Sequence, residues 1–135
     1  MASIDPRGED IAELLARVPP GQPVTMLNLL RFRERAAHAD GDRGQTGREA
    51  YRDYSRHAGE FVAAVGGDVR WAGRAASPLI APPGEDWDAA LLVRYPSIAA
   101  FEQMMRNPDY QAITPLRTAA LSDARLIALL DEPPY

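Results

Sequence analysis

The nine residues Val24-Thr25-Met26-Leu27-Asn28-Leu29-Leu30-Arg31-Phe32 are almost uninterrupted apolar text between Pro23 and a polar stretch. A run of this length, bounded by turn signals, reads as a buried strand. Side chains alternate along a strand, so Val24, Met26, Asn28, Leu30 and Phe32 share one face and Thr25, Leu27, Leu29 and Arg31 the other. Both faces are largely apolar, and both need cover.

Working outward, Asp5-Pro6 supplies a cap and a first-turn proline for a short helix. Ile11, Leu14, Leu15 and Val18 recur at helical spacing until Pro19-Pro20-Gly21. After Phe32, residues 33–47 are polar and glycine-rich, which predicts an exposed, mobile loop. Tyr51, Tyr54, Ala58, Phe61, Val62 and Val65 then form a helical stripe ended by Gly66-Gly67. Asp68 to Ala76 reads as a second strand and Trp87 to Tyr95 as a third. Ser97 caps a helix bearing Ile98, Phe101, Met104 and Met105. Asn107-Pro108 restarts a helix to about Leu121, and Ala124 to Leu130 is the last strand.

The order is a helix followed by β-α-β-β-α-β, the ferredoxin-like arrangement: an α+β fold in which an antiparallel four-stranded sheet carries its helices on one face. Residues 1–22 form an N-terminal helical extension and 23–131 the domain. With helices on one side only, the other face leaves apolar side chains in water. An apolar patch of more than a few hundred Å² is rare on a monomer, so a homodimer closed through that face is expected. Cover by the leading helix is the alternative.

The 135 residues carry 46% apolar and 25% charged side chains, the balance of one globular domain. The absence of cysteine excludes disulfides, thiolate metal sites and cysteine nucleophiles. A net charge of −4 speaks against general nucleic-acid binding. All the basic residues are arginines, as a GC-rich genome would produce, so arginine content alone says little about function. The start of the chain has neither a basic segment nor an apolar one, and no apolar run approaches the roughly 20 residues of a membrane span. A cytoplasmic protein without membrane contact is expected.

Met26 to Phe32, Tyr51 with Tyr54, Gly66-Gly67, Arg70-Trp71-Ala72-Gly73, Trp87-Asp88, Arg94-Tyr95-Pro96-Ser97, Asn107-Pro108-Asp109-Tyr110-Gln111 and Arg117 to Leu121 together resemble the DUF1330 family over about residues 24–130. That family is similar to the dimeric α/β-barrel superfamily, whose ferredoxin-like protomers pack sheet to sheet. The resemblance therefore implies the same dimer as the uncovered face. The superfamily holds cofactor-free monooxygenases, haem-dependent enzymes, isomerases and cyclases, so the fold selects no chemistry.

The chain carries no recognisable catalytic motif. Asp40 and Asp42 begin like a calcium loop, but Gly44 and Gln45 break the pattern, and His38 and His57 lack metal-ligand spacing. No cofactor is expected. Ser55 and His57 diverge by about 200° on a helix and form no dyad. What remains is a set of polar and aromatic groups on apolar elements. Asn28, buried in a strand, must bind backbone, water or ligand. Arg31 and Arg94 lie near strand ends, each either in a salt bridge, as Arg94 with Asp88 or Glu102, or aimed at an anionic ligand. Tyr51 and Tyr54 either pack the core or reach a pocket rim. His57 is either a general base beside Tyr54 or a solvated flank. Trp71 and Trp87 stack on a planar ligand or pack an interface. Tyr110 and Arg117, seven apart on the last helix, close a pocket mouth or anchor that helix. Two functions stay open: an enzyme without metal or haem, monooxygenase- or isomerase-like, with His57 or Tyr54 moving protons, and a non-catalytic binding or stress-associated dimer.

Overall fold

A computed structural model describes residues 2–135. The elements follow as α1 (Gly8–Arg17), β1 (Val24–Phe32), α2 (Gly47–Ala64), β2 (Asp68–Arg74), β3 (Ala89–Tyr95), α3 (Ile98–Arg106), α4 (Pro108–Ala120) and β4 (Leu121–Leu130). The sheet is antiparallel with order β2-β3-β1-β4, the ferredoxin-like arrangement. None of the described helices is long and apolar enough to cross a membrane.

Register assigns the two faces. Met26 pairs with Val93 and Ala128, and Asn28 with Leu91 and Leu126, so these face the helices. Val24, Met26 and Leu30 are almost wholly buried there. Leu27 pairs with Leu92 and Ile127 on the opposite face, which no helix covers.

The helices begin and end where local chemistry directs. Thr46 and Glu49 form a reciprocal capping box on α2, with the Thr46 side chain accepting from the Glu49 amide and the Glu49 side chain from the Thr46 amide. Ser97 accepts from the Ala100 amide at the start of α3. Pro108 occupies the first turn of α4 behind the Asn107 cap. Pro115, inside α4, has no amide hydrogen for the Gln111 carbonyl four residues back. The Thr114 hydroxyl donates to that carbonyl instead at 2.9 Å.

Four features depart from the sequence expectations. The first helix starts at Gly8 behind Arg7, because Asp5 is engaged elsewhere: its carboxylate accepts from Thr118 Oγ1 at 2.8 Å. That helix also lies on the already helical side, where Ile11 and Leu14 border the same space as Ala124, Leu126 and Ala128, and does not cover the other face. Segment 33–46 is anchored rather than loose. Its backbone bonds to Ala119 and Ala120, Ala36 and His38 are buried, and His38 Nε2 pairs with Gln45 Oε1 at 2.9 Å. Gly47 closes this loop so tightly that a Cβ would lie 2.3 Å from the Arg33 carbonyl oxygen. Finally, β4 starts at Leu121, three residues before the apolar alternation suggests.

Candidate functional site

A cavity of about 730 Å³ lies between the helical face of the sheet and α2, α3 and α4. Its walls are chiefly apolar, with Met26, Leu91 and Val93 from the sheet and Val62, Phe101 and Met104 from the helices. Into it come five polar side chains of the sequence-derived set: Asn28, Tyr51, Tyr54, Tyr110 and Arg117.

Each is delivered by periodicity. Asn28 sits between Met26 and Leu30 on the inward face of β1. Among the described residues its one side-chain hydrogen bond is a long one, from Nδ2 to the Met26 carbonyl at 3.4 Å, although the residue is only 9% exposed. Tyr51 and Tyr54, one helical turn apart, stack tilted with ring centroids 5.4 Å apart. Tyr54 and Tyr110 share a hydroxyl–hydroxyl bond of 2.6 Å that ties α2 to α4. Tyr110 and Arg117, two turns apart, both border the cavity.

Burial fixes the protonation of the phenols. The Tyr51 hydroxyl is pushed up to about 12 by loss of solvent, with the Arg117 charge beside it pulling the other way. Tyr54 is raised still further by burial and by the neighbouring Tyr110. Tyr95, whose hydroxyl points to Met104 Sδ at 3.9 Å, is raised by burial as well. At neutral pH all three are uncharged hydroxyls able to donate hydrogen bonds. Tyr95 also lines the cavity, and its alternation with Leu91 and Val93 along β3 is the sequence signal that places it there.

The other sequence-derived candidates stand elsewhere. His57 is exposed on the outer side of α2 and does not line the cavity, so Tyr54 and His57 do not act on one space. Trp71 is carried to the open face by a bulge: Val69 pairs with inward-facing Val93, but the register then shifts and Trp71 pairs with outward-facing Leu92. There its ring lies over Gly73, where a Cβ would come within 2.3 Å of it. Trp87 is bracketed by the Arg31 and Arg125 guanidinium groups, 5.6 and 5.1 Å from its ring centre. Arg31 donates to the backbone carbonyls of Asp86 and Gly84. Arg94 forms a bidentate pair with Asp131, at 3.0 and 2.7 Å, rather than with Asp88 or Glu102. These four groups have protein partners or lie on the far face of the sheet. No cluster of three or more potential metal-ligating side chains occurs among the described residues.

The architecture defines a ferredoxin-like α+β protein with a partly open cavity on its helical face. The chain belongs to the family described as Domain of unknown function (DUF1330), whose model matches residues 44–130. A protein of unknown function from Rhodopseudomonas palustris is 41% identical, with a TM-score of 0.91 over 99% of this chain and 100% of that one. Its coverage includes the leading helix and the 33–46 segment. Two more distant structures share the fold. Hydroxynitrile lyase from Passiflora edulis has a TM-score of 0.58 at 10% identity over 86% of this chain and 99% of its own. A dimeric ferredoxin-like protein of unknown function from Thermobifida fusca has a TM-score of 0.50 at 14% identity, over 82% and 92%. No curated protein sequence matches the chain.

Proposed function

We propose that the protein is a homodimer, joined through the open sheet faces, in which each protomer binds a small, oxygenated and planar metabolite in the cavity between sheet and helices. The observation that carries the ligand reading is the convergence of Asn28, Tyr51, Tyr54, Tyr110 and Arg117 on an otherwise apolar space. An apolar cavity with a few polar groups is the usual form of a small-molecule site. The dimer is supported by the face bearing Leu27, Leu29, Leu92, Ile127 and Leu129, which none of the described helices covers and on which Ile127 and Leu129 stay exposed.

Ligand binding is the part of this reading that the site supports directly. The buried Tyr51 and Tyr54 phenols stay protonated, and the one histidine named as a base, His57, is outside the cavity. Chemistry here would rest on hydrogen-bond donation to a developing oxyanion rather than on a histidine base. A thermal-shift screen of small planar oxygenated compounds tests the site: a ligand should raise the melting temperature of the wild type. Filling the cavity by Val93→Trp should abolish the shift, and a shift that survives this substitution places the ligand elsewhere.

A further inference from the structure

One side chain narrows the ligand class, and the inference rests on the cavity reading above. Arg117 is the sole arginine bordering the cavity among the described residues, and it is half-buried. Unlike Arg94 and Arg125, which pair with Asp131 and Asp123, it has no carboxylate within 4.0 Å among those residues. Its Nη1 donates to the Ile4 carbonyl at 2.6 Å, and its charge is felt by the Tyr51 hydroxyl.

A guanidinium has five donors in a planar fork shaped for a carboxylate, and here a neutral peptide oxygen takes one of them. A half-buried cation without a counter-ion favours an anion over any neutral ligand of equal shape. The other charged group at the cavity, Asp5, is exposed and already accepts from Thr118, so solvent weakens its repulsion. The Asn28 amide and the paired Tyr54 and Tyr110 hydroxyls suit a second, uncharged oxygen, and Met104 and Met105 adapt to the body between.

We propose that the cavity takes a monocarboxylic acid with an apolar body, its carboxylate held by Arg117. The Ile4 carbonyl occupies part of that position, so the strap of residues 3–5 yields when the acid enters.

The test uses matched pairs of probes, benzoate with benzamide and cinnamate with cinnamamide, titrated into the intact protein by calorimetry and thermal shift. An acid should bind about tenfold or more tightly than its amide. Arg117→Gln should remove that preference, Arg117→Lys should keep part of it, and Asp5→Asn should leave it intact or strengthen it. Because Arg117→Gln also frees the Ile4 carbonyl, its circular dichroism and melting are compared with those of Arg117→Lys, which keeps the charge without the fork. Equal binding of acid and amide by the wild type overturns the carboxylate assignment while leaving the cavity reading in place. A preference that persists in a folded Arg117→Gln does the same. Silence of both acids at millimolar concentration overturns the carboxylate assignment, and if the amides and the wider screen are silent too, the cavity reading falls with it.

Discussion

The two faces of one sheet are built from the same strands and differ in what is done with their polar groups. On the helical side, among the described residues, Asn28 has one long side-chain hydrogen bond and Arg117 no carboxylate partner, and both border the cavity. On the open side, Arg94 is clamped by Asp131 and Arg125 by Asp123, while Trp87 is held between Arg31 and Arg125. The first face is apolar with unspent hydrogen-bonding capacity inside it. The second is apolar with its polar rim already satisfied. Unspent capacity suits a ligand that brings oxygen atoms, whereas a satisfied apolar surface suits another apolar surface. Ile127 and Leu129 are 47% and 39% exposed on that open side, and Leu79 and Ile80, in the β2–β3 connection, are 95% and 93% exposed. The exposure of Ile127 and Leu129 agrees with an apolar partner on the open face.

Neighbouring residues of β1 give the strongest way to break the comparison. Leu30 is 1% exposed under the helices, and its replacement by alanine should cost about 2–5 kcal/mol of folding stability in any oligomeric state. Leu29 points to the open face and is only half-buried in the single chain. Leu29→Arg should therefore leave the protomer folded and convert the dimer to monomer, because association would bury an unpaired cation. Denaturant unfolding measures the first and sedimentation the second. A monomeric wild type removes the dimer, and a Leu29→Arg protein that stays dimeric moves the interface to another surface.

Much of this division was legible in the sequence, because alternation in a strand and a three–four stripe in a helix are direct consequences of geometry. Residues 24–32 announced both faces of β1, and Tyr51, Tyr54, Tyr110 and Arg117 fell on inward stripes. Trp71 shows where the reading ends. Strict alternation puts it with Val69, but one bulged residue reverses the face, and no single-residue signal announces a bulge. His57 follows Tyr54 by nearly a full turn, yet the stripe is narrow enough to leave it in solvent. The 33–46 segment is the exposed loop that its composition predicts, and only its anchoring goes beyond that prediction. Its anchoring comes from backbone bonds to Ala119 and Ala120, more than 70 residues away, which composition does not encode.

Within the cavity, the Tyr54–Tyr110 pair sharpens the comparison at a smaller scale. Tyr54→Phe leaves the Tyr110 hydroxyl buried without its 2.6 Å partner and should cost about 1–3 kcal/mol. Tyr54→Phe combined with Tyr110→Phe removes both hydroxyls and should recover much of that loss, since neither polar group is left stranded. Urea unfolding of the two single variants and the double variant completes the cycle. A double variant as unstable as the sum of the singles would mean that each hydroxyl has another partner.

The smallest effect is expected at Arg94, and its smallness is what separates the faces. The Arg94 guanidinium beside Asp131 holds that carboxyl below its ordinary value, chiefly through the bidentate hydrogen bond. A carboxylate with a depressed folded-state value contributes stability above the pH at which it titrates when unfolded. That contribution disappears as pH falls through the folded-state value. The pair thus acts at neutral pH and fades in acid below about pH 4. Asp131 is 66% exposed, however, so water and salt screen the attraction, and Arg94→Ala should change the neutral-pH melting temperature by little more than experimental error. The wild-type and Arg94→Ala melting curves should converge as the pH is lowered from 6 toward 3, and raising the salt concentration at neutral pH should have the same effect. Acid titration of the cavity probes on the variant supplies the contrast, since their binding should be unaltered. Weakened probe binding in a fully folded Arg94→Ala protein would put Arg94 back among the ligand-holding groups and erase the distinction between the faces.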